Sequence, residues 1–219
     1  MKVRLICYTP EPEKTVAIAA RQCYSSLGAN DLAKGLSEEK VSSLIRTLME
    51  AGHLSPAEHA SFTFSIEGVS RSLSHQLVRH RIASYSQQSQ RYVGEEGFTY
   101  VVPPSIAERR EAKEVFEGLM EQIRQAYIEL ARVVPKEDAR YVLPNACETR
   151  LIMTMNCRSL YNFFERRLCQ RAQWEIRKLA KDMLACVNEV APQLFSWVGS
   201  PCEMRGHCPE GSMSCGKLD

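Results

Sequence analysis

The sequence predicts a mixed α/β chain. Helix-spaced apolar stripes recur over much of its length, and short strand-like apolar runs stand between them. With 219 residues, 44% of them hydrophobic, the chain has enough material for one globular domain with a real core. The net charge of +2 and pI of about 8.1 give no global nucleic-acid or membrane footprint, so any anion binding must come from local arginine clusters. The first residues, Met1–Cys7, do not read as a signal peptide, and no run of about 18 apolar residues occurs. A cytoplasmic protein with no membrane partner is expected. Nine cysteines, an odd count without a secretion signal, point to reduced thiols.

Val3–Tyr8 reads as a short buried strand closed by Pro10 and Pro12, and Glu13–Cys23 as an alanine-rich helix. Ser25–Leu36, with Gly28, Asn30 and Gly35, reads as a loop. The next helix is the best specified. Ser37 is its N-cap, Glu38 and Glu39 complement its dipole, Val41, Leu44, Ile45 and Leu48 form one stripe, and Gly52 follows its end. His53–His59 is a turn with two histidines and Glu58. It lacks the i, i+4 spacing of a helical zinc motif and Pro56 interrupts it, so capping and ligand contacts are favoured over a metal.

Phe62, Phe64 and Ile66 alternate, which predicts a half-buried strand over Ser61–Ile66. Val69, Leu73 and Leu77 recur every four residues, predicting a helix over Val69–Arg79 with Gln76, Arg79 and His80 close together near its end. Tyr92–Val102 is strand-like up to Pro103-Pro104. Ser105–Val134 reads as one long helix with an apolar face from Val115 to Leu130, ended by Pro135; Glu137–Leu143 adds a turn or two carrying Arg140. Leu151–Met155 is too short to assign between strand and helix. Leu160, Phe163 and Phe164 then fall at helical spacing, and Ala172–Val190 is a final long helix with Ile176, Leu179, Met183 and Val187 inward. The domain is set at residues 1–199. Residues 200–219 form a tail carrying Cys202, His207, Cys208 and Cys215, whose spacing matches no paired C-x-x-C site, so no metal is assigned.

Arg79–Arg91 concentrates three arginines, a histidine, three serines and three side-chain amides. Such a segment is either a solvated loop or a site for an anionic, hydrogen-bonding ligand, because each unpaired buried polar group costs about 1–3 kcal/mol. Arg166, Arg167 and Arg171 crowd a second interval in the same way, and Arg140 adds to that cluster. No G-x-G-x-x-G, G-x-x-x-x-G-K-[ST] or G-x-S-x-G motif is present, which removes a Rossmann turn, a P-loop and a nucleophile elbow. Ser89 has amides and a guanidinium for neighbours rather than a base, so it is favoured as a hydrogen-bonding contact over a nucleophile. A nucleotide- or RNA-binding module without chemistry is the rival reading of the same arginines.

Arg79-His80-Arg81, seven residues and then Ser89 resembles the signature of the flavin-dependent thymidylate synthases. The resemblance extends over His53–His59, Ala139-Arg140, Asn156–Leu160, Asn162-Phe163 and Ala172–Ile176, hence most of the chain. It implies the family's fold, a mostly antiparallel sheet with surrounding helices, and a homotetramer whose active sites are shared between subunits. It implies FAD as cofactor, NADPH as reductant, and methylation of dUMP to dTMP with 5,10-methylenetetrahydrofolate as carbon donor. By position, Ser55, Arg79, His80, Arg81, Gln87, Asn156, Cys157, Arg158 and Asn162 correspond to FAD-binding positions. Gln76, Leu77, Val78, Arg79, Gln87, Gln88, Ser89, Gln90, Arg91, Arg140 and Arg167 correspond to dUMP-binding positions, with Gln87–Arg91 reaching a neighbouring subunit's site. Arg167 matches the arginine that favours loss of the uracil N3 proton, which makes it the catalytic candidate. The chain departs from the family at Gln87, often Glu, and at Arg166, commonly apolar.

Overall fold

A computed structural model describes residues 1–216 of the chain. The last three residues of the tail fall outside this range. The strands are β1 (Lys2–Tyr8), β2 (Ser61–Ser70), β3 (Ala83–Gln87) and β4 (Glu148–Asn156), in the order β1-β2-β4-β3. They form an antiparallel sheet with helices around it, so the fold is α/β. The helices are α1 (Pro12–Gln22), α2 (Ala29–Gly35), α3 (Glu38–Glu50), α4 (Arg71–Leu77), α5 (Pro104–Ala107), α6 (Arg110–Ala131), α7 (Lys136–Ala139), α8 (Cys157–Arg167), α9 (Trp174–Val190), α10 (Pro192–Phe195) and α11 (Pro201–Arg205). Among the described residues no helix is long and apolar enough to cross a membrane.

The chain divides into two compact units. The first takes residues 1–2, 66–79 and 86–151. Its core gathers Phe98, Met120 and Cys147, with Tyr100, Phe116 and Ile123 packed against them. Ser70 caps α4 by accepting from the Leu73 amide at 3.0 Å, and the Arg71 and Ser72 amides donate to the carbonyls of Cys147 and Asn145. Helix α4 therefore begins two residues later than its apolar spacing predicts, because Val69 and Ser70 still belong to β2. The left-handed backbone of Gly68 (φ +68°) shifts the strand's alternation, so Val69 and Ser70 are both buried.

Two expectations for this unit are corrected. Residues 92–102 are not a strand: only Tyr100 bridges, to Cys147, after the chain turns with the Phe98 amide donating to Glu95. The Tyr127 hydroxyl accepts from the Glu95 amide at 3.2 Å and holds that turn inward. The long helix is broken as well, since Arg109 is extended (φ −118°, ψ 111°) between α5 and α6, with neither proline nor glycine at the break. Val115, on the predicted apolar face, is 74% exposed.

Of the described residues, the second unit takes 3–65, 80–85 and 152–216. Its core is aromatic around Phe195, whose ring lies 5.3 Å from Phe62, 5.6 Å from Tyr161 and 6.1 Å from Phe164. Ser37 caps α3 as predicted, accepting from the Lys40 amide. Within the segment read as a loop, Ala29–Gly35 forms α2, which buries Leu32. Leu151–Met155 resolves as strand within β4, with Leu151, Met153 and Met155 buried in alternation. Thr63 and Thr154 meet across β2 and β4 at 2.9 Å.

Candidate active site

In the second unit the site is built from the start of the Arg79–Arg91 stretch and the end of α8. Helix α8 begins at Asn156, whose side chain accepts from the Ser159 amide at 2.8 Å, and its apolar face fixes Leu160, Phe163 and Phe164 in the core. One turn past Phe163 it delivers Arg167, whose Nε donates to His80 Nε2 at 2.8 Å. His80 is only 9% exposed, and the Phe163 ring stands edge-on to it with centroids 5.0 Å apart.

Burial, then the charges of Arg167 and Arg166, push the His80 pKa down from 6.5 to about 4. The ring is therefore neutral at pH 7. Its Nε2 accepts, so its proton sits on Nδ1. Arg167 is also lowered by burial and by Arg166, yet a guanidinium stays charged in proteins. The Tyr85 hydroxyl donates to the His80 carbonyl at 2.8 Å and fixes the backbone there. Two residues on, Ile82 has a left-handed φ of 61° and is 79% exposed, an uncommon conformation for a β-branched residue.

The same unit carries an open cavity of about 540 Å³. Arg158 and Asn162, one helical turn apart on α8, line it beside Leu54, Tyr161, Trp197 and Met204. Arg205, paired with Glu165, also lines it; an apolar, aromatic wall with the Arg158 guanidinium, the Asn162 amide and this ion pair suits a planar heterocycle with polar substituents. Arg158 is paired with Glu58 at 3.3 Å, and Ser55 and Arg81 are exposed. Cys157 differs: it has no exposed surface and burial pushes its thiol up to about 12, so its side chain reaches no ligand in this structure.

The first unit holds the remaining candidates. Arg91 donates through Nε and a terminal nitrogen to one carboxylate oxygen of Glu137, both at 2.8 Å, and Arg140 Nε donates to the Glu137 carbonyl at 3.1 Å. Two anion-binding candidates thus converge on one residue. Ser89 Oγ accepts from the Arg91 amide at 3.2 Å, and no base stands beside it in its turn. Gln90 is buried, held by Arg71 at 2.9 Å and donating to the Cys147 sulfur. Gln87 donates to Thr149 at 3.0 Å, and the Gln88 amide donates to the Arg150 carbonyl. Gln76 is partly buried and its side chain turns back on its own helix toward the Ser72 carbonyl. Val78 and Arg79 are exposed, whereas Leu77 is wholly buried, so its side chain is closed to a ligand in this structure. Arg91 and Arg140, both bonded to Glu137, and exposed Arg79 are the candidate anion-binding charges of this unit.

Sequence reasoning missed Glu137 and the cavity-lining Trp197. The signal for Glu137 was its place three residues before Arg140 in a Pro135-capped turn.

The family model described as thymidylate synthase complementing protein matches residues 4–193. The chain belongs to the thymidylate synthase complementing protein family. Among its relatives, a Clostridium tetani protein named flavin-dependent thymidylate synthase is 54% identical, covering 99% of this chain and 94% of the relative. A Geobacter sulfurreducens protein of the same name is 54% identical with the same coverage. One from Pyrococcus furiosus is 44% identical, over 96% of this chain and 90% of the relative.

Proposed function

We propose that this chain is a flavin-dependent thymidylate synthase that methylates dUMP to dTMP, with Arg167 activating the uracil ring. The supporting observation within the chain is the charged Arg167 held by a neutral, buried His80. That bond uses Nε of the guanidinium. The terminal nitrogens remain for a uracil edge, where a fixed cation favours loss of the N3 proton by about 1.4 kcal/mol per pKa unit. The resulting negative charge spreads through the ring and makes its carbon nucleophilic, without an enzyme nucleophile. Ser89, lacking a base, serves as a contact.

Arg91 and Arg140, with Arg79, hold the phosphate of dUMP, and Gln76, Val78, Gln87 and Gln88 contribute to the nucleotide's surroundings. Arg158, Asn162 and the aromatic wall at Trp197 fit a flavin; Ser55 and Arg81 are assigned to the same cofactor by their positions in the family pattern, and Asn156 caps α8, which carries Arg158 and Asn162. When bound, FAD carries reducing equivalents from NADPH to the carbon supplied by 5,10-methylenetetrahydrofolate. The enzyme is a cytoplasmic homotetramer with residues 1–199 as the synthase domain, and Gln87–Arg91 serves a neighbouring subunit's site.

Incubation with FAD followed by gel filtration tests the cofactor: visible flavin absorption is expected to co-elute with protein. Protein that takes up no FAD and makes no dTMP from dUMP, 5,10-methylenetetrahydrofolate and NADPH refutes the proposal.

A further inference from the structure

In the first unit Gln90 stands between Ser89 and Arg91, two of the candidate dUMP contacts. Unlike Arg91 it is buried, only 8% exposed. Both ends of its amide are used. Arg71 donates through a terminal nitrogen to Gln90 Oε1 at 2.9 Å, and Gln90 Nε2 donates to Cys147 Sγ at 3.6 Å. A guanidinium only donates, so Arg71 fixes which way the amide faces. Burial pushes the Cys147 thiol up to about 12, so it stays protonated, donates to the Glu148 carbonyl and accepts from Gln90. The Arg71 amide closes the loop by donating to the Cys147 carbonyl at 3.0 Å. A ring of three residues therefore joins the junction of β2 with α4, the turn that begins at Ser89, and the residue before β4.

The bonds within the turn set its shape but not its place. The Tyr92 and Val93 amides donate to the Ser89 carbonyl, and the Arg91 amide donates to Ser89 Oγ. Upstream, Gln87 and Gln88 are tied to β4; downstream, the Glu95 amide is tied to Tyr127. Between those anchors the pair of Arg91 with Glu137 is exposed, and it opens when Arg91 takes a phosphate. The bond of Arg71 to Gln90 is inward and does not compete with the ligand. Burial lowers the Arg71 pKa, yet the guanidinium stays charged, so this bond belongs to the stronger, charge-assisted class.

We propose that Arg71 and Cys147 are positioning residues for dUMP, acting through Gln90 to hold Ser89 and Arg91 where both can meet the nucleotide. Their role rests on the dUMP assignment made above for Ser89 and Arg91. Gln90 itself is an anchor rather than a ligand contact. A turn released from the ring samples more conformations, and apparent affinity for dUMP falls with the fraction that is competent to bind. Bound dUMP selects the competent turn again, so the loss falls on KM and largely spares kcat.

The test is steady-state dTMP synthesis by the FAD-loaded protein. Arg71→Met keeps the aliphatic stem without donors, and Gln90→Met keeps the volume without the amide. Each is expected to raise the KM for dUMP by about tenfold, the size of one charge-assisted hydrogen bond, with kcat at saturating dUMP within about threefold of wild type. FAD content and the KM for 5,10-methylenetetrahydrofolate are expected to stay as in wild type. The double variant is expected to match the worse single variant, because both substitutions cut one bond. Arg71→Lys, with one charged donor, is expected to recover part of the loss. Cys147→Ala, which removes only the weaker sulfur bond, is expected to raise the KM for dUMP by about threefold and serves if a methionine variant does not fold. An unchanged KM for dUMP in the folded variants, a loss confined to kcat, or single effects that multiply in the double variant overturns the positioning role while the active wild type leaves the synthase reading standing. A wild type that makes no dTMP overturns both.

Discussion

His80 makes the stability of the second unit depend on pH, and the size of the effect follows from its burial. In the unfolded chain its imidazole titrates near 6.5, whereas in the folded chain burial, Arg167 and Arg166 hold it down to about 4. Between those values the unfolded chain binds a proton that the folded chain does not. Stability is therefore complete above about pH 6.5 and is lost as pH falls toward 4. The full gap, at about 1.4 kcal/mol per pKa unit, amounts to roughly 3 kcal/mol, of which about 2 kcal/mol is lost by pH 5. His80→Gln keeps an acceptor near the position of Nε2 but does not titrate. Urea unfolding of both proteins at pH 7.5 and pH 5 is expected to show the wild type losing about 2 kcal/mol more than the variant. Parallel losses in the two proteins, or an imidazole that titrates by NMR near 6.5 in the folded state, refute the reasoning.

Glu137→Gln frees Arg91 from an exposed ion pair that stabilises the fold by at most about 1 kcal/mol and that has to open before the guanidinium can fork onto a phosphate. The KM for dUMP is expected to fall by up to about fivefold, measured by initial rates; a rise contradicts the placement of Arg91. Ser89→Ala removes one turn hydrogen bond, and dTMP synthesis is expected to persist within about tenfold of wild type. Complete loss of product in a folded Ser89→Ala protein contradicts the assignment of Ser89 as a contact.

Much of the second unit was legible because its signals were local. Ser37 with Glu38 and Glu39 announced α3, and the Phe62, Phe64, Ile66 alternation announced β2. The extension of β2 was not legible, because it depends on the left-handed turn at Gly68, which displaces the alternation. Residues 92–102 carry strand-like residues, but Tyr127, thirty-two positions beyond Glu95, holds the segment in a turn. Tertiary contact overrides propensity in such a segment. Helix α2 was obscured by Gly28 and Gly35, which lie just before it and at its last residue.

For the candidate site, the arginines and amides of residues 79–91 could be read from their crowding. Their division of labour could not. Gln90 turns inward to Arg71, Ser89 braces its own turn, and Arg91 meets Arg140 through Glu137. The pairing of His80 with Arg167 joins residues 87 positions apart, a distance over which no periodicity or spacing carries information.

In the proposed reaction Arg167 activates the uracil rather than merely shaping the protein. Its most direct test is turnover of dUMP to dTMP by Arg167→Ala, with FAD content and dUMP binding measured on the same preparation. Loss of a preorganised charge partner typically lowers kcat by about 100-fold or more, or about 2.7 kcal/mol, and that loss is expected here with FAD still bound. Near-normal turnover by the FAD-loaded variant contradicts the claim.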